Sequence, residues 1–312
     1  MLRTLTDATA ASHAADLHLV VAGGLPPETA YALPELRRCF AQGTRHGIAA
    51  EHGGVLLALA GFGADAPRAA FARLGAGLDA RGCWSELELV HLAPTLDSMR
   101  FMRLLGAALH DAERDALLEA LAPRLAGSGA RLDLARRQLL WSTPLATLDA
   151  HPAMLDGRDA RDAFDAQRAA PDYQRLLLDL QMLLHAHPVN AARATRGAPP
   201  ANALWCHGSG ALPPTRDARF AAASGEDPLL AGLAQWMGCA YAVEPRTTAP
   251  GVTVVHAEDV GESVAEALDA LAAGAFAALW LHLAPHGTWR VGRGARWRFW
   301  RRAPSFDEVF GA

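Results

Sequence analysis

The chain has 312 residues, enough to bury a large core, either in two domains or in one large α/β domain with an insertion. Its 33 acidic and 29 basic residues leave a formal charge of −4, which excludes the overall cationic field of a general nucleic-acid binder. Every basic residue is Arg, so Schiff-base or P-loop lysine chemistry is excluded as well.

Cys39, Cys83, Cys206 and Cys239 are far apart and form no Cys-x-x-Cys pair, which argues against a zinc knuckle or redox couple. The first residues lack a signal-peptide profile, and no stretch has transmembrane length without charge or Gly/Pro breaks, so a cytoplasmic protein without membrane contact is expected. A linear division gives an N-terminal α/β region over 1–150 and a C-terminal α/β region over 151–312.

In chain order, Asp16–Ala22 reads as a buried first strand that runs into Gly23-Gly24. Two modest helices are predicted between Glu51 and Leu78, and a strand over Glu86–Leu92, where apolar residues alternate. Asp97 or Ser98 can cap a helix through Ala108. His110-Asp111 opens another helix, which carries Leu117, Leu118, Leu121 and Leu125 on one side. Arg131–Asp133 and Gln138–Trp141 suggest a hairpin, and Leu148–Ala170, rich in mixed charge, a solvated and partly helical connection. After Pro171, Tyr173, Leu176, Leu177, Leu180, Leu183 and Leu184 recur at helical spacing, with Leu178 and Met182 broadening the stripe of a buried helix.

The segment from His187 to Gly210 is the densest in specified polar residues. Pro188 ends the preceding helix, Asn190 can N-cap a short helix, and Gly197 can stop it in a left-handed conformation. Ala203–Cys206 reads as a short buried strand. His207-Gly208-Ser209-Gly210 then forms a tight loop at its carboxyl end, where open α/β sheets hold ligands. Arg193 and Arg196, with Asn190, Asn202, His207 and Ser209, could bind a phosphorylated or carboxylated small molecule. The alternative is that Asn190 caps, Asn202 closes the Pro199-Pro200 turn, and the arginines pair with the chain's own carboxylates. No Gly-x-Ser-x-Gly elbow centres on Ser209, and no dinucleotide fingerprint follows the first strand.

Farther on, a helix from Asp227-Pro228 to Gly238 precedes strands at Cys239–Val243 and Val252–His256. A helix from Asp259 or Gly261 through Ala273 and a strand over Phe276–Leu283 complete a βα alternation, which predicts a mainly parallel sheet with helices on both faces. Trp289–Arg302, six Arg interleaved with four aromatics, reads as a twisted β-hairpin. Its aromatics, Trp297 and Phe299 among them, would cap the core while its arginines keep the edge soluble. Alternatively it would receive an acidic protein partner or stack on bases.

His187-Pro188-Val189-Asn190, Arg193, Gly197, Pro200-Ala201-Asn202 and the strand ending in Gly208-Ser209-Gly210 resemble a segment of archaeal-type cofactor-independent phosphoglycerate mutases, members of the alkaline phosphatase superfamily. Leu180–Leu184 leading into His187 is similar still to a bacterial family of regulatory proteins of the RpfE type. The resemblance implies a truncated alkaline-phosphatase-like α/β fold. The mutases end their first strand in a metal-binding aspartate, where this chain has Ala22-Gly23-Gly24, and their later Asp-His pair has no counterpart. Two-metal phosphoryl transfer depends on those ligands. The expectation is therefore a non-catalytic binding or regulatory protein with no catalytic residue, metal or cofactor. The alternative is a metal-dependent phosphomutase or phosphoesterase with a rebuilt site, for instance around His256, His282 and His286.

Overall fold

The computed structural model describes residues 15–47, 51–63, 66–95, 98–105, 108–142, 151–160, 171–215, 217–297 and 300–311. Its strands are β1 (Leu17–Ala22), β2 (Thr44–His46), β3 (Cys83–Pro94), β4 (Met99–Arg103), β5 (Ala130–Asp133), β6 (Gln138–Trp141), β7 (Ala203–Gly210), β8 (Ala222–Ser224), β9 (Ala240–Ala242), β10 (Gly251–His256), β11 (Ala278–Leu283) and β12 (Gly287–Gly292). The chain forms two units, one of residues 1–63, 71–78 and 214–312, the other of 64–70 and 79–213. A cut at residue 150 falls inside the second.

The first unit holds a seven-stranded sheet in the order β2-β12-β11-β1-β10-β8-β9, parallel from β11 to β9 and antiparallel at β12 and β2. The chain is thus mixed α/β with a mostly parallel central sheet. All six residues of β1 are buried, as expected of a strand covered on both faces. Leu17, Leu19 and Val21 join a core with the helices Pro34–Gln42 and Val260–Ala273. The helix His52–Leu59 packs against β1 and β11 and against the helix Pro228–Met237.

The second unit is an antiparallel sheet built on β3. Twelve residues let this strand pair with β6 over Cys83–Glu86, with β4 over Val90–Pro94, and with β7 on a ladder from Trp84 to Val90. The four leucines of the helix Asp111–Gly127 and Leu176, Leu177, Leu180 and Leu184 of the helix Pro171–His185 fill its core.

Four expectations change. The helix expected from Asp97 or Ser98 is instead β4, in which Phe101 turns inward onto Trp205, their rings 5.0 Å apart; Asp97 itself lies outside the described residues. β7 continues through Gly210 and is antiparallel, so His207–Gly210 is not a loop at the end of a parallel strand. Leu178, Met182 and Leu183 are exposed, which narrows the buried stripe of their helix. The hairpin lies one strand earlier than expected: β12 pairs back onto β11, and the chain then enters a 3-10 helix, Arg293–Trp297. Trp297 and Trp300 are 63% and 67% exposed, so neither caps the core, and Phe299 lies outside the described residues.

Candidate functional site

His187, not Asn190, caps the helix Pro188–Thr195, its ring accepting the Val189 N–H. Asn190 lies inside this helix, where its buried amide ties two segments together. It donates to the carbonyls of Leu184 (2.8 Å) and Ala201 (2.9 Å) and accepts the Ala201 N–H (2.9 Å). Arg193 is fully buried. Its Nε donates to Pro199 O at 3.0 Å, its Nη2 to Ala108 O and Pro199 O at 2.6 and 2.7 Å, and its Nη1 to Glu113 at 2.8 Å. Arg196, 46% exposed, donates to the other oxygen of Glu113.

Burial opposes the charge of Glu113, but hydrogen bonds from Arg196 and the His110 N–H, with the charges of Arg193 and Arg196, hold its carboxyl below the usual range. Asn202 accepts the Leu92 N–H at 2.7 Å and donates to Leu92 O at 3.0 Å, mimicking one more ladder pair beside β3. The carboxylate that meets both arginines is thus the chain's own.

His207 and Ser209 are parted by a bulge, since β3 advances two residues from Trp84 to Glu86 while β7 spans Gly210 to His207. Gly208, at φ +57°, makes the turn. Ser209 therefore joins Ser85 (2.6 Å), which also accepts the Trp141 indole N–H at 2.8 Å. His207 faces the other side, with its Nδ1 3.6 Å from Glu86, itself 3.2 Å from Arg68 Nε, and its ring 4.7 Å from that of His151. The six residues singled out from sequence therefore divide into the ties made by Asn190, Arg193 and Arg196, the pairing of Asn202 with β3, and two separate groups on β7.

The structure assembles a polar pair that sequence reading missed, at the carboxyl edge of the parallel strands. From β8 the chain runs through the helix Pro228–Met237 outward to β9; from β10, the parallel neighbour of β8, it runs through the helix Val260–Ala273 to β11 on the other side. Adjacent parallel strands that depart in opposite directions form a topological switch point, the usual ligand position in open α/β sheets.

Asp227 stands there. Its buried carboxylate caps the following helix by accepting the Leu230 N–H (2.8 Å) and lies 3.2 Å from His52 Nε2. His52 opens its own helix, which Glu51 caps at the Gly53 and Gly54 N–H groups, and its side chain stays 29% exposed. With Nε2–H given to Asp227, the ring presents Nδ1, which has no partner among the described residues. Tyr241 donates to Gly225 O at 2.5 Å, and burial raises its phenol pKa. The available signal was Gly225-Glu226-Asp227-Pro228 directly after a short strand.

The three histidines of the alternative metal arrangement do not gather. His256 is exposed, His282 bridges His18 (3.1 Å) and Thr288 (2.9 Å), and His286 Nε2 donates to Leu25 O. Burial lowers the His286 pKa, which suits a neutral donor. Among the described residues no three His, Cys, Asp or Glu are arranged to hold a metal ion, and no helix is long and apolar enough to cross a membrane.

No family model and no curated protein matches the chain. Among solved structures it is similar to a cofactor-independent phosphoglycerate mutase from Thermoplasma acidophilum DSM 1728, with 18% identity, 89% of each chain covered and a TM-score of 0.37. It is also similar to a protein from Pyrococcus horikoshii, with 15% identity, 95% of this chain and 92% of that one covered, and a TM-score of 0.44.

Proposed function

We propose that the chain is a binding or regulatory protein that holds a small phosphorylated or carboxylated ligand at the carboxyl edge of its seven-stranded sheet, without transferring phosphoryl groups. The observation that carries this reading is the His52–Asp227 pair at the switch point. The N-terminus of the helix Pro228–Met237 is already met by the Asp227 carboxylate, so the group left to meet an external anion there is the His52 imidazole. His52 adds a directed imidazole that becomes a cation when protonated. In this reading Asn190, Arg193 and Asn202 maintain the fold, and Arg196, half exposed, is paired with the chain's own Glu113. An acidic protein partner would meet the exposed Trp297 and Trp300 and the arginines around them.

The same pair favours the second reading, a phosphoesterase with a rebuilt site, because a carboxylate-oriented imidazole can act as a general base. Imidazole NMR signals followed during titration with glycerol 3-phosphate and citrate test the first reading. It expects the His52 resonances to shift, and the response to vanish in His52→Ala. Turnover of p-nitrophenyl phosphate that needs added divalent metal and disappears in His52→Ala would establish the second reading instead.

A further inference from the structure

A separate feature of the first unit is a cleft of about 300 Å³ between one face of the helix Pro34–Gln42 and the segment around Arg301. Pro34, Arg37, Arg38, Ala41 and Gln42 recur at the three- and four-residue spacing of a single helix face. Leu36, Cys39 and Phe40 point the opposite way, into the core. The facing segment is anchored. Tyr31 donates to Pro304 O at 2.9 Å and packs edge-on against Phe306, and Phe310 packs edge-on against Phe40, 5.9 Å between ring centroids.

Among the described residues, none that lines the cleft is acidic. Of the carboxylates on the two flanking segments, Glu35 lies beside Gly261, and Glu308 accepts the Ser305 N–H that closes its capping box. Arg37 rests over the Tyr31 ring, 5.3 Å from its centroid, an interaction that leaves its N–H fork available. Arg193 and Arg196 show how this chain treats arginines it neutralises itself, by placing Glu113 against both. Arg37, Arg38 and Arg301 line one concavity to which no described lining residue brings such a carboxylate.

We propose that this cleft binds a diphosphate group. Guanidinium forks match phosphoryl oxygens in pairs, and three like charges around one concavity favour a multiply charged anion over a single carboxylate. A terminal phosphoryl group carries about 1.5 to 2 negative charges at neutral pH and the second one joined to it adds about one more, so a diphosphate balances three arginines closely. The volume lies at the small end of ligand pockets, enough for the diphosphate while any larger substituent extends into solvent.

Calorimetry of the full chain with inorganic diphosphate, inorganic phosphate and ADP tests this. Diphosphate should bind more tightly than phosphate. Arg37→Ala and Arg301→Ala should each weaken it by about tenfold or more with unchanged melting temperature, since both side chains are exposed. Rising salt should weaken it too. ADP binding more tightly than diphosphate would identify a nucleotide as the carrier of the group, and equal affinities the free anion. Absence of diphosphate binding, or binding that survives the Arg37→Ala/Arg301→Ala double variant, would overturn the proposal. So would single-stranded DNA binding that these variants abolish while diphosphate binding stays the same.

Discussion

Arg193 and Glu113, eighty residues apart in the chain, meet in a 2.8 Å charge-assisted hydrogen bond whose guanidinium is fully buried. The pair joins the helix Asp111–Gly127 to the helix Pro188–Thr195, and the rest of the fork satisfies the carbonyls of Ala108 and Pro199. Removing one partner of a buried pair strands the other in a poorly solvated place, a loss of about 3–5 kcal/mol. Arg193→Ala should therefore lower the urea midpoint by that equivalent with an unchanged m-value. Arg196→Ala, which removes a half-exposed partner of the same carboxylate, should cost at most about 1 kcal/mol. Equal losses in the two variants would mean that the buried fork is no clamp.

Glu113 makes the same tie sensitive to acid. Its folded-state pKa is depressed, so the unfolded chain binds the proton more readily. The stability it contributes is complete above the ordinary carboxylate range and is lost as pH falls through the lower folded value. Stability measured against pH should decline on the acid side, and Glu113→Gln, already neutral, should flatten that limb while lowering the plateau. A limb of undiminished slope in Glu113→Gln would assign the acid sensitivity to other carboxylates.

The apolar runs of β1, β10 and β11 were legible because strands covered on both faces are largely apolar. The helix Asp111–Gly127 was legible from four leucines on one side. What local pattern could not carry was pairing between distant segments. The first unit takes residues 1–63, 71–78 and 214–312, segments that are not contiguous in the chain and that a linear scan cannot bring together. β7 looked short because Gly208 interrupts its alternation, yet a bulge lets the strand continue. Asn190 looked like a cap because its residue type suits one, whereas its partners Leu184 and Ala201 are set by packing. His52 and Asp227 are 175 residues apart, a separation no motif spans.

The C-terminal aromatics show how alternation misleads when the pairing partner is unknown. Trp289 sits in β12 opposite Leu281, is 2% exposed, and packs on Phe40 with ring centroids 4.8 Å apart. Trp297 ends a 3-10 helix and is 63% exposed. Both occur in the same Arg/Trp run, so composition alone treats them alike. Burial separates them. Trp289→Ala should cost about 3–5 kcal/mol, from lost transfer energy and the cavity left beside Phe40. Trp297→Ala should change stability by no more than about 0.5 kcal/mol. Denaturant titration of the two variants checks the order, and a core-scale loss in Trp297→Ala would show that its indole is covered in solution.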